Sequence, residues 1–372
     1  MLYLLLLLAA ILACLLSMWA CRRSSSSGVF GSLLIALVLS IGGASLWMLR
    51  GLAHLSRREL WTPFVVVLEG VFFVLPIAFT ALYVLLVVLW RRRDAARARR
   101  FPFLTSWILT FVALGMIATG IYATRIERFN VEVTETTIRT AKLPAGTKPL
   151  RIVQITDTHI DAFGPYEERV LEIVRGLKPD VIVLTGDYDG SHGSGSAVNR
   201  FMKGLSAPEG VYAVDGNWDG HYGTKSFIAG TDIEFLRYSY KAIQWGGARI
   251  LVGGAPWTNS YWSASLDPFG KDRWPGDYTV LLAHKPDISI GAPDWIDLIV
   301  SGHTHGGQVC LPWFGPLVTF SDVSRDKSIG LSARDGGGLL YVSRGVGTET
   351  GTAPRIRFLC RPEIALITIA PE

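Results

Sequence analysis

Residues 150–160 read LRIVQITDTHI, and this stretch sets the reading of the chain. A run dominated by branched apolar side chains ends in Asp157-Thr158-His159. Such a run suits a strand buried on both faces, as in a parallel sheet covered by helices. Four more blocks repeat the arrangement. DVIVLT leads to Gly186-Asp187, and GVYAVD to Gly216-Asn217. YTVLLA leads to His284, and DLIVS to Gly302-His303-Thr304-His305. Asp, His and Asn hold hard or borderline divalent metals. In an open α/β sheet, ligands gather at the carboxyl ends of the strands. Five such ends therefore predict one converging site.

A single Asp-x-His carries little information. The distribution of histidine carries more. The chain has seven, and four of them (His159, His284, His303, His305) fall in these blocks. The others are His54, His192 and His221.

The order DTH, GD, GN, H, GHTH resembles the calcineurin-like metallophosphoesterase superfamily. The segments GHTHGGQ (302–308) and SRGVGTETGTAPRIRFLCRPEI (343–364) resemble its membrane-anchored bacterial branch. The resemblance covers residues 130–372. It implies a four-layer α-β-β-α sandwich and two divalent ions, manganese, iron or zinc. Such ions, roughly 3.5–4 Å apart, clamp a phosphate, and a hydroxide bridging them attacks phosphorus in line with the leaving group. Asp187 would bridge the pair. Asp157, His159 and His305 would complete one ion, and Asn217, His284 and His303 the other.

One position departs from the pattern. The family usually has Gly-Asn-His, and this chain has Gly216-Asn217-Trp218-Asp219. Tryptophan cannot act as an acid near neutral pH. Three readings stand side by side. The substrate is a diester or anhydride with a good leaving group; His221 or His192 supplies the proton; or the site is repurposed. Trp218 and Arg344 are the candidate substrate contacts; Arg344 and Arg355 are read either as binding a phosphate oxygen or as forming surface ion pairs. Asp219 would orient Asn217 or close a turn. Trp257 to Trp262 and Trp274 are read as a groove lining or as core.

Composition divides the chain. Residues 1–128 carry 13 Lys or Arg against 4 Asp or Glu, a net charge of about +9. Residues 129–372 carry 23 against 27, a net of about −4. The basic balance thus lies outside the globular part, which argues against a nucleic-acid partner. Four apolar runs, 2–20, 29–48, 65–90 and 103–123, are each near the ~20 residues that cross a bilayer. Trp61, Trp90, Trp107 and Tyr122 lie near their ends, where amphipathic rings favour the interface. The loop RRRDAARARR (91–100) should stay in the cytoplasm, which places the following domain outside it.

The expected architecture is therefore a membrane region over 1–128 and an α/β phosphoesterase domain over 129–372. Its expected partners are the membrane and a phosphoester, lipid-linked if the site sits at the bilayer. A UDP-2,3-diacylglucosamine pyrophosphatase is the enzymatic alternative, and a non-catalytic membrane sensor the alternative of another class. Within the domain, 131–140 alternates as a first strand and EERVLEIVRGL (167–177) has helical spacing. ARILVGGA, GLLYVSRGV and EIALITIA read as later strands. Ser191 to Ser196 reads as a mobile loop. Cys310 and Cys360 are the two cysteines of this part, and spacing alone does not decide whether they pair.

Overall fold

The computed structural model describes residues 115, 118–190, 194–219, 223–259, 261–262, 270–350 and 355–372. The first three apolar runs and most of the fourth lie outside these residues, as do His54, His192 and His221. Among the described residues no helix is long and apolar enough to cross a membrane. The chain divides into two compact units, Met1–Ile121 with Thr352–Pro354, and Tyr122–Gly351 with Arg355–Glu372. The second unit takes in the turn Glu127–Phe129, because the buried Glu127 carboxylate accepts the backbone N–H groups of Leu359 and Cys360.

The second unit is built on two six-stranded sheets. The first runs β1(Glu132–Thr140), β14(Glu363–Pro371), β2(Leu150–Ile155), β3(Val181–Thr185), β4(Val211–Val214), β5(Ile233–Phe235). The second runs β12(Gly330–Ala333), β13(Leu339–Val342), β9(Leu298–Ser301), β8(Tyr278–Leu282), β7(Ala248–Gly254), β6(Ser239–Trp245). A two-stranded hairpin, β10(Cys310–Leu311) and β11(Gly315–Pro316), stands apart.

The period-two geometry of a strand explains how the layers stack. On β2, Leu150 and Ile152 join Val181, Val183 and Val214 in facing Ile250, Val252, Val280 and Val300 of the other sheet. The alternate residues Val153, Ile155, Ile182 and Leu184 point to the opposite face. There they meet Val170, Leu171 and Val174 of α1(Pro165–Gly176) and Val198, Phe201 and Met202 of α2(Gly195–Met202). Both faces of the central strands are thus apolar, which produces the continuous runs seen in the sequence. Helix α1 begins with Pro165, and the Glu167 carboxylate accepts the Gly164 N–H at 2.8 Å.

The second sheet's outer face differs from the expected helical layer. Among the described residues it is covered by the 3-10 turn Pro286–Ser289 and by loops carrying Ala292, Ile296 and Val323. Trp262 packs edge-on against Trp295 in this cluster, so it serves as core. Trp274 is exposed. The predicted loop 191–196 is partly helical, since Gly195 and Ser196 open α2.

Strands β2, β3 and β4 are mutually parallel, as are β7, β8, β9 and β13. The blocks after β2, β3, β4, β8 and β9 meet at one place, where the two sheets adjoin.

Candidate metal centre

The loops after β2, β3 and β9 are forced into shapes that bring ligands inward. Asp157, His159, Asp187, His303 and His305 all have positive φ, between 41° and 68°. Non-glycine residues seldom adopt this region, which is characteristic of sites where structure is held under strain. Close approach explains the glycines between them. A Cβ on Gly216 would lie 2.1 Å from Asp187 Oδ1, and one on Gly302 would lie 2.2 Å from Asp157 Oδ2.

Two ligand groups result: Asp157, His159 and His305, and Asp187, His284 and His303. His159 Nε2 lies 3.1 Å from His305 Nε2, and His305 Nε2 lies 3.5 Å from Asp157 Oδ1. In the other group, His284 Nε2 lies 3.2 Å from Asp187 Oδ2, 3.0 Å from Asn217 Oδ1 and 3.2 Å from His303 Nδ1. Asp187 Oδ2 also lies 3.7 Å from His159 Nε2, so this carboxylate stands between the two groups.

The donor chemistry fits divalent cations. The Thr185 carbonyl can only accept, so His284 Nδ1 bears a proton and donates to it at 2.8 Å. The Nε2 side of His284 then faces a carboxylate, an amide oxygen and another imidazole, a set that calls for positive charge. With no cation there, burial opposes charging His284, but Asp187 and Asp157 outweigh it and push its pKa up to about 10. A bound metal would displace that proton. Burial opposes ionisation of Asp187 too, yet the His284 and His159 imidazoles hold its carboxyl well below the usual range. Burial lowers His159 to about 4 and His303 to about 3, and it drives His305 well down. Neutral imidazoles are the form that ligates metal.

The support around the ligands is made by two buried side chains. Asp219 accepts the N–H groups of Asp187 at 2.7 Å, Tyr188 at 2.8 Å and Gly216 at 2.8 Å. It ties the second and third blocks together without facing the ligands itself. Arg357 is fully buried and donates to the carbonyls of His305, Arg344, Gly345, Gly347 and Cys360. One cation thus satisfies five acceptors from three segments. Arg357→Met should lower stability by about 3–5 kcal/mol, because the buried carbonyls lose their donor. Denaturant unfolding reads this directly, and a midpoint within error of the parent would refute it.

Trp218 lies beside the first group, edge-on to His159 with ring centroids 6.0 Å apart. Its Nε1–H donates to Glu349 Oε1 at 2.9 Å, and Glu349 Oε2 lies 3.7 Å from His305 Nε2. Burial, and then Asp187, raise Glu349 to about 7. Sequence reading missed Glu349. It lies on the loop after β13, a sixth parallel strand end, and the strand GLLYVSRGV was the available signal.

Arg344 takes the second of its two readings, an ion pair. Its Nε donates to Glu363 at 3.0 Å and its Nη2 to Glu132 at 3.1 Å. Two carboxylates compensate this guanidinium, which removes the reason to assign it a phosphate. Arg355 is likewise paired, with Asp161. His221 lies outside the described residues. Cys310 and Cys360 are free thiols, and both donate to the Gly306 carbonyl, at 3.2 and 3.3 Å.

Comparison with known proteins agrees with this chemistry. The pattern of the calcineurin-like phosphoesterase family matches residues 150–307. An uncharacterized metallophosphoesterase, YkuE of Bacillus subtilis, is 32% identical over 269 residues, covering 67% of this chain and 88% of that protein. UDP-2,3-diacylglucosamine pyrophosphatase LpxG of Chlamydia trachomatis is 27% identical, covering 70% of this chain and 95% of the relative. Phosphodiesterase YaeI of Escherichia coli is 31% identical, covering 59% and 82%.

Proposed function

The chain belongs to the calcineurin-like phosphoesterase family, and from that premise we propose that it cleaves a phosphodiester or pyrophosphate bond in a lipid-linked substrate at a membrane surface. It is a metal-dependent phosphoester hydrolase. Asp157, His159 and His305 would hold one divalent ion, and Asn217, His284 and His303 the other, with Asp187 serving both. When bound, such ions polarise phosphoryl oxygens and lower the pKa of water.

The observation that carries the bond type is Trp218. It stands where the family places an imidazole, and its indole proton is committed to Glu349. The residue has no proton to give a leaving group near neutral pH. A diester or anhydride leaving group needs less protonation than the alkoxide of a monoester. Asn217 contributes a neutral oxygen, which limits the negative charge that a phosphate must approach. Two relatives bear the names phosphodiesterase and pyrophosphatase, which supports this choice.

The test is hydrolysis of bis-p-nitrophenyl phosphate and of p-nitrophenyl phosphate by the full chain, with Mn²⁺ or with chelator. Diester turnover should exceed monoester turnover and vanish with chelator. Preference for the monoester would overturn the reading. Trp218→His supplies a proton donor, and general acids typically add ~10²–10⁴ in rate. It should therefore raise the monoester-to-diester ratio by at least about tenfold. An unchanged ratio would remove Trp218 as the determinant.

The lipid-linked substrate and the membrane location rest on the apolar runs before residue 124 and on the name of the LpxG relative. The basic loop 91–100 favours an extracytoplasmic domain. A UDP-2,3-diacylglucosamine pyrophosphatase activity would need the site in the cytoplasm. A topology reporter fused after Glu372 separates the two.

A further inference from the structure

The metal loop runs directly into an exposed apolar hairpin. After His305 come Gly306 to Val309, and then β10 and β11 with Leu311, Pro312, Trp313 and Phe314 all exposed. Trp313 at the tip is fully exposed and has φ 64°. The Arg325 guanidinium lies 3.9 Å from the centroid of the Phe314 ring, which is half exposed. Phe320, whose carbonyl faces His303 Nε2 at 3.3 Å, is also exposed. Exposing four consecutive residues of this kind is costly in water, and such patches mark binding surfaces.

The place of the hairpin in the unit points to the occupant. Cys310 N–H donates to the Phe358 carbonyl at 2.9 Å, which puts β10 alongside residues 358–360. That segment is fixed to the residues that open the unit. The Phe358 ring meets Tyr122 edge-on at 6.5 Å, and Leu359 N–H donates to Glu127. Leu359 and Ile126 are exposed apolar residues there, beside exposed Arg125 and Arg361. The chain reaches Tyr122 straight from the apolar run 103–123. The hairpin therefore lies beside the residues that open the unit, Tyr122 to Glu127, and these follow the apolar run in sequence. Aromatic side chains flanked by arginine suit the interface of an anionic bilayer.

We propose that the hairpin Cys310–Pro316 inserts Trp313 and Phe314 into the interfacial layer of the bilayer, so that the metal centre faces substrates whose phosphates lie at that depth. The inference rests on the membrane-bound reading given above. It deepens it by naming the element that orients the site.

Crosslinking from the hairpin tests this. The full chain, carrying Trp313→p-benzoylphenylalanine, is placed in nanodiscs of phosphatidylcholine and phosphatidylglycerol, irradiated, and examined by mass spectrometry. Asp335→p-benzoylphenylalanine, on the exposed β12–β13 turn, is the control. Lipid adducts should form at 313 and not at 335. Phe314→p-benzoylphenylalanine should repeat the result if the first variant misfolds. A crosslinked dimer, an adduct to another protein, or lipid adducts equal at 313 and 335 would each overturn the proposal. Hydrolysis of bis-p-nitrophenyl phosphate by the same sample keeps the two readings apart. Turnover without lipid adducts removes the docking hairpin alone, whereas lipid adducts without turnover sustain the hairpin and count against the hydrolytic site.

Discussion

Asp187→Asn should lower turnover of bis-p-nitrophenyl phosphate by at least about 10³-fold, equivalent to ~4 kcal/mol of barrier. Asp187 is the carboxylate common to the two ligand groups, 3.7 Å from His159 Nε2 and 3.2 Å from His284 Nε2. Two cations held a few ångströms apart repel, and only an anion placed between them offsets that repulsion. The amide is isosteric but neutral. Its oxygen can still accept the Trp218 N–H, which Asp187 Oδ1 now accepts at 2.9 Å, so the loop should keep its shape. The fold should therefore survive while the metal does not. Metal analysis of dialysed protein should show fewer ions per chain in the variant, with circular dichroism unchanged. A variant that keeps its full metal complement and turns over within about tenfold of the parent would show that Asp187 does not serve both ions.

Much of this centre was legible in the sequence for a geometric reason. The strands that carry ligands are central and buried on both faces, so they read as continuous apolar runs, and each ligand block follows at once. Edge strands lack that signature. On β6, SYKAIQW, only Ile243 is buried, and β12, GLSA, buries none of its side chains. Both went unnoticed. The division of strands between two sheets was also hidden, because periodicity says which face is apolar and not which partner covers it. Glu349 and Arg357 were missed for another reason. Neither belongs to a ligand-like block, and their meaning arises where loops distant in sequence converge. Arg344 shows a different limit. In the sequence it reads equally as a phosphate contact or as an ion pair, and the fold places Glu363 and Glu132 beside it.

Asp219→Ala should be nearly as damaging as the loss of a ligand, although Asp219 faces no ligand position. Its carboxylate accepts the backbone N–H groups of Asp187, Tyr188 and Gly216 at 2.7–2.8 Å, and that of Asp189 at 3.4 Å. It is fully buried, so water cannot replace it. Each unsatisfied buried donor costs about 1–3 kcal/mol, which places the total for Asp187, Tyr188 and Gly216 at roughly 3–9 kcal/mol. Asp187 also sits at φ 56°, a conformation that costs of order 1–3 kcal/mol and persists only while its surroundings enforce it. Without Asp219, that residue can relax and withdraw its carboxylate from between the two groups. Thermal midpoint should fall by roughly 10 °C or more, at about 2–4 °C per kcal/mol for a domain of this size. Loss of outer support typically costs 10–100-fold in metal affinity or activity, so turnover should drop by about that factor even at temperatures where the variant is folded. Asp219→Asn separates the two contributions. It keeps an oxygen for Tyr188 but sets an amide N–H against those of Asp187 and Gly216, so it should lose metal affinity more than its melting point suggests. If Asp219→Ala melted with the parent and bound metal as tightly, the strained backbone at Asp187 would have to be held by β3 and Gly186 alone, and the coupling of the second and third blocks would be incidental.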